Sequence, residues 1–413
     1  MENNKWLQIY LYIWVGQFLS MLSSYAVQFA IIIWLSLEYQ SAQVLAYAAI
    51  AGMLPQALIG PFAGVFIDRW DRKRTMMLSD TFIAVCALIM IYVLRNDTIH
   101  LGLIYGLLGL RSIGNAFHSP ALQAVAPLIV PKDQLLRVAG INQVIHSITG
   151  IAGPAIGTLA ITYMSISKVL YLDVIGAFFA VLSLFFVDIP SVVASKNTSI
   201  FKIASEFKEG FRAVLDKRGL SYLFLYAMAI TFFTMPVAIM FPLMTIEHYL
   251  GGKWEMGLVE VVWGVGMLLG GATLGLIKVR SSKVVLINAM YLVMGLTFVV
   301  SGILSAQQFL WFVVATGIGG ISMAIFAACF NTLLQVEVAP EKLGRVFSLY
   351  YSVAILPSTI GLLFAGLIAE KIGITTTFIL SGILVVIVGL LSFATRPLMR
   401  LGKHPAQPVP QFE

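Results

Sequence analysis

Apolar residues run almost without interruption from Leu7 to Leu37 and again from Ser41 to Ile67, and neither run holds a charged side chain. The pattern predicts ten more such stretches: Met76 to Leu94, Ile99 to Leu128, Val138 to Ser165, Val169 to Val187, Leu220 to Ile246, Gly257 to Ile277, Val284 to Ser305, Phe309 to Val336, Val346 to Ala369 and Ile374 to Thr395. Each is close to or longer than the ~20 residues a helix needs to cross a ~30 Å hydrocarbon layer. Membrane-barrel strands would be ~10 residues long with alternating polarity, so the expected elements are helices. The first run, 31 residues long, greatly exceeds a secretory h-region and no small-residue cleavage site follows it, so it is read as the first helix.

Composition agrees: 59% of the 413 residues are hydrophobic, 11% are charged and the mean hydropathy is +0.93. Such a chain is solvated mostly by lipid. Of the 26 Lys and Arg, 21 fall on the side that holds both termini, four (Arg95, Lys168, Lys253 and Lys371) fall on the other, and Arg111 lies inside a span. That asymmetry predicts cytoplasmic termini. The net charge of +7 therefore reports topology, and nucleic-acid binding is not needed to explain it. Cys86 and Cys329 fall inside predicted helices, where a small apolar filler is the ordinary role.

Between the sixth and seventh spans lies the longest polar connection, "DIPSVVASKNTSIFKIASEFKEGFRAVLDKRG". It divides the chain into an N-terminal bundle (1–187), a linker (188–219) and a C-terminal bundle with a short tail (220–413). Phe201, Phe207, Phe211 and Leu215 predict an amphipathic linker helix lying along the membrane surface. The halves echo each other, "GPFAGVFIDRWDRK" after the second span with "GATLGLIKVRSSK" after the eighth, and "VPKDQLLRV" with "APEKLGRV" before the fifth and eleventh. The expected fold is an all-α membrane protein of twelve transmembrane helices in two six-helix bundles, the parallel-repeat plan of transporters that rock about a central cavity.

Three motifs give these spans a family. "GVFIDRWDRKR" resembles the GxxxDRxGRR loop of the major facilitator superfamily, with Gly64, Asp68, Arg69, Arg72 and Lys73 in place and Asp71 replacing the second glycine. "LLGLRSIGNA" in the fourth span is similar to the intramembrane arginine motif, with Arg111 and Gly114 in register. "TGIAGPAIGT" in the fifth is similar to the antiporter motif, matching at Gly153, Pro154 and Gly157 and departing at Thr149 and Thr158. Stretches such as "LRSIGNAFHSPALQAV" and "LGRVFSL" resemble the bacterial macrolide-efflux group. The resemblance implies a gate in which Asp68 and Arg69 meet the start of the eleventh span, around Gly344 and Arg345. The trailing cations Arg72, Lys73 and Arg74 also suit a positive-inside anchor.

Arg111, a cation deep in an apolar helix, demands a partner, since even lenient scales charge ~2.5–3.5 kcal/mol for it at mid-bilayer. Asp80, Asp173 and Glu260 are the intramembrane carboxylates available for pairing and for proton coupling. Gln17, Gln28 and Asn142, with His118, are candidate polar contacts in a Met- and Phe-rich substrate cavity; Ser24 and His146 are further candidates. No phosphate-cradling loop, metal cluster or nucleophile elbow occurs, so the sequence implies a transporter rather than an enzyme, with no cofactor. The expectation is a monomeric, multi-pass proton antiporter of the bacterial cytoplasmic membrane, exporting hydrophobic drugs. Its partners would be the small-molecule substrate, protons and membrane lipids, and a lysophospholipid flippase or another solute permease of the same fold stands as the alternative.

Overall fold

The computed structural model describes residues 5–67, 70–95, 100–131, 134–189, 200–276 and 282–401. No strand occurs among them, as lipid demands, because only a helix or a closed barrel satisfies every backbone N–H and C=O without water. The first part of the chain forms α1 (Lys5–Tyr39), α2 (Ala42–Ile67), α3 (Arg72–Val93), α4 (Leu101–Ile129), α5 (Leu135–Tyr163), the single turn α6 (Ile166–Val169) and α7 (Tyr171–Phe185). After α8 (Ile200–Leu215) come α9 (Arg218–Glu247), α10 (Lys253–Leu276), α11 (Lys283–Ile303), α12 (Phe309–Glu337), α13 (Pro340–Ile372), α14 (Ile374–Ala394) and the short α15 (Arg396–Met399). Among the described residues, eleven helical segments are long and apolar enough to cross a membrane, by length and composition. The twelfth expected span is α4, whose 29 residues are ample in length but include Arg111, Asn115 and His118, which dilute its apolar character.

The chain divides into two compact units, Met1–Ile200 with Thr245–Val261, and Phe201–Met244 with Val262–Glu413. In the first, α1 packs on α5 and α7, α2 on α4, and α3 on α4 and α7. Its apolar core gathers Tyr10, Trp14, Ile67, Met76, Leu122 and Leu184. The segment 245–261 joins α5 through Lys253 Nζ, which donates to the Ile161 carbonyl at 2.8 Å, and through the edge contact of Tyr163 with Trp254.

In the second unit α11 packs on α12 and α14, and α10 approaches α12 where Gly320 faces the Trp263 backbone. Gly373, at φ +85°, makes the tight turn from α13 to α14, a conformation that glycine adopts without cost. Large apolar side chains such as Leu88 and Phe178 in the first unit and Leu225 and Leu390 in the second stay exposed, the reverse of a soluble domain and the natural outer face of helices solvated by acyl chains.

The linker helix has a docking face that its apolar stripe does not announce. Gly210 abuts the Arg345 backbone at the start of α13, Glu209 pairs with Arg345, and Val214 enters the apolar core with Leu220, Val338 and Val346. Phe211 and Leu215 stay exposed. One face of α8 is thus built into the second unit, while the side chains of Phe201 and Phe207 lie outside the described set.

Candidate functional site

Two buried ionisable clusters occupy the interior of the first unit. In one, Arg111 of α4 donates through Nη1 to Asp173 Oδ2, and Ser24 of α1 donates through Oγ to Asp173 Oδ1 at 2.6 Å. Arg111 is 5% and Asp173 2% exposed, so each is shielded from lipid and neutralised by the other. Asp173 lies in the first turn of α7, beside the partial positive charge of the helix N-terminus. Of the three carboxylates that could have answered Arg111, the fold selects the one on α7.

The second cluster takes Asp80. Gln17 of α1 donates through Nε2 to Asp80 Oδ2 at 3.3 Å, and His118 Nε2 of α4 stands 3.4 Å from Asp80 Oδ1. All three are buried, Gln17 completely. Gln17 Oε1 is buried without a hydrogen-bond partner among the described residues, a condition that costs roughly 1–3 kcal/mol, whereas His118 Nε2 has the Asp80 carboxylate within ion-pair range. Gln17 and His118, both candidate cavity residues from the sequence, thus each contact the Asp80 carboxylate.

The clusters are in register. Gln17 and Ser24 are seven residues apart on α1, and His118 and Arg111 are seven apart on α4, which is two helical turns or about 10.5 Å. Helix α1 supplies one neutral polar group to each rung and α4 one nitrogen base, while α3 and α7 supply the carboxylates. This heptad pairing is a signal present in the sequence, and it is missed when each charged residue is weighed singly.

Elsewhere the motif residues do structural work. Asp71 is the N-cap of α3 and accepts from the Arg74 backbone N–H at 2.8 Å, which accounts for an aspartate where the related loop has glycine. Arg72 donates to the Ala124 carbonyl at 2.9 Å and Lys73 to that of Val187 at 2.7 Å, tying the start of α3 to the ends of α4 and α7. Gly64 lies within α2, whereas Asp68 and Arg69 lie outside the described residues.

Pro154 sits within a continuous α5. A Cβ at Gly153 would lie 2.5 Å from Tyr25 Cβ, and one at Gly157 would meet the Ala26 carbonyl. The close approach these glycines permit is therefore to α1. Asn142 accepts from Tyr10 Oη at 2.6 Å. Gln28 lies beside Gly52 of α2. His146 is exposed, and Glu260 is half-buried in α10 and belongs to neither cluster.

A polytopic bundle of apolar helices that keeps charged pairs in its interior is the architecture of a membrane transporter. Over residues 6–410 the chain matches the family described as "Transmembrane secretion effector", and it belongs to that family within the major facilitator superfamily. It is 35% identical over 389 residues to Macrolide efflux protein A of Streptococcus pyogenes, covering 94% of this chain and 96% of that one. It is also 23% identical over 385 residues to the Multidrug efflux pump Tap of Mycobacterium tuberculosis, covering 90% of each. Among solved structures it resembles the nucleoside transporter NupG, with a TM-score of 0.72 at 12% identity over 94% of this chain and 98% of the other. A bacterial homologue of the lysosomal transporter Spinster gives 0.71 at 13% identity over 98% and 99%. At such identities the structural likeness establishes the fold alone.

Proposed function

We propose that the protein is a secondary active exporter of hydrophobic drugs, macrolides foremost, that exchanges drug for protons by alternating access across the bacterial cytoplasmic membrane. The observation that supports the coupling is the presence of two buried ionisable clusters, Arg111–Asp173 and Asp80–His118, in the interior of the first unit. A charge pair is expensive to keep in a bilayer interior, and where it persists it commonly serves ion or proton movement. The drug class rests on the 35% identity to Macrolide efflux protein A across nearly the whole of both chains. In this reading residues 1–187 and 220–413 are the two rocking halves, 188–219 joins them, and both termini face the cytoplasm. Gly64, Asp68, Arg69, Arg72, Lys73, Gly153, Pro154 and Gly157 then serve the gates, and Gln28 and Asn142 meet substrate.

The deciding measurement is proton release from purified protein when a macrolide is added, together with drug accumulation in a drug-sensitive host. Drug-dependent proton release and uncoupler-sensitive loss of accumulation are the expected results. Neither effect over a broad drug panel would sink the reading, and lipid-dependent phenotypes without resistance would replace it with the flippase alternative.

A further inference from the structure

We infer that the proton exchanged against drug resides on the Asp80–His118 pair, and that the Arg111–Asp173 pair stays ionised as a fixed anchor beside it. The inference rests on the antiport reading and says which of the two clusters performs it.

Charge balance in a low-dielectric interior separates the clusters. Arg111 and Asp173 are neutral together only when the carboxylate is ionised, since the guanidinium keeps its proton throughout. Protonating Asp173 would leave an uncompensated cation in the bundle, a strongly unfavourable state. The Asp80–His118 pair is neutral when it holds one proton, whichever of the two groups carries it, so that proton belongs to the pair. Handing it over leaves a single buried anion that a cytoplasm-facing water path would have to relieve. Taking it back restores neutrality. Of the two clusters, this pair is the one that can change its proton count by one and return to a neutral state.

Geometry points the same way. Arg111 and Asp173 are bonded directly and Ser24 fills the second carboxylate oxygen, so the anchor cluster is satisfied. In the other, His118 Nε2 stands 3.4 Å from Asp80 Oδ1, an ion pair when the histidine is protonated, and Gln17 Oε1 lacks a hydrogen-bond partner among the described residues. A pair held at contact range with polar capacity to spare is set to rearrange when a proton arrives. The surrounding groups leave the pair to itself. From α1 Gln17 reaches it, and α2 holds no charged residue. On α4 the next charge is Arg111, two turns away, and α7 contributes Asp173, bound to that arginine. On α3 itself lie Cys86 and, at its start, Arg72 and Lys73, which are held by the carbonyls of Ala124 and Val187, and Arg74, which is exposed. His146 of α5 is exposed.

The test uses the full chain reconstituted in liposomes, with erythromycin as probe. Wild type is expected to concentrate the drug under an imposed pH gradient. Asp80→Asn and His118→Asn should lose at least tenfold of that accumulation while still exchanging labelled for unlabelled drug when no gradient is present. Gln17→Ala removes a positioning contact that does not titrate, so it should still concentrate drug, with a displaced pH midpoint. Wild-type accumulation by either Asp80→Asn or His118→Asn would overturn the assignment. So would loss of exchange together with accumulation in both, or a Gln17→Ala protein as inert as Asp80→Asn, because the cluster would then be structural. A wild type that ignores the pH gradient would overturn the antiport reading, and this assignment with it.

Discussion

Arg111 and Asp173 are separated by 62 positions in sequence yet bonded in the interior of the first unit, and the removal of either one is the measure of their worth. Breaking a buried pair typically costs about 3–5 kcal/mol, whereas replacing both members by apolar residues of similar volume is often neutral. Arg111→Ala or Asp173→Leu alone should therefore lower the thermal midpoint of the purified protein clearly, and the double variant Arg111→Met with Asp173→Leu should recover most of it. Gradient-driven drug efflux should stay low in all three, and a double variant that regains both stability and coupled efflux would show the pair to be dispensable for coupling. At Asp71 the scale is smaller. Its carboxylate caps the Arg74 N–H, so Asp71→Ala should cost about 1 kcal/mol, while Asp71→Gly should cost only a few tenths because glycine is tolerated at an N-cap. Differential scanning of the two variants against wild type measures this; equal losses would mean that the cap is not the reason for the aspartate.

Among elements, α5 carries the sharpest contrast. A side chain at Gly157 would drive into the Ala26 backbone of α1, whereas one at Gly150 meets open space. Gly157→Ala should separate α5 from α1, lowering the melting temperature and the yield in the membrane. Gly150→Ala, by removing a flexible residue from a helix interior, should be neutral or stabilising by up to ~1 kcal/mol. Both changes lie in one motif and add one methyl group, so size and composition cannot explain a difference between them. The sequence foretold the helices and their order because a lipid solvent leaves backbone groups no other way to be satisfied. It could not show which helix Gly153 and Gly157 approach, because close packing by small residues is legible as a tendency but its partner is a matter of three-dimensional register. The docking face of the linker helix was hidden for a related reason. The apolar stripe legible in the sequence includes the bulky Phe211 and Leu215, which are exposed, while the docking face is made by the small Gly210 and Val214. Asp80 with His118 was hidden similarly, since a histidine and an aspartate 38 positions apart announce nothing until α3 and α4 are placed side by side.

For the molecule as a whole, orientation is the property on which the gates and the proton path both depend, and the charge distribution predicts it. With 21 cations on one side and four on the other, the bias is carried by short loops near the ends of spans, the setting in which positive charge governs insertion. The chain also lends itself to a direct measurement, because its two cysteines, Cys86 and Cys329, are both buried and should give little background with a membrane-impermeant maleimide. Ser305, exposed in the turn between α11 and α12, belongs to the cation-poor side, and Asp216, exposed just after α8, belongs to the cation-rich side. In intact cells Ser305→Cys should label readily and Asp216→Cys should not, with the latter reacting only once the membrane is permeabilised. The reverse pattern would invert the topology, placing the start of α3 and the α8 linker outside. Asp80, closer to the α3 start than to the α3 end, would then lie nearer the external face, while the direction of exchange would still be set by the proton and drug gradients, so the labelling decides which face each gate occupies and not which way drug moves.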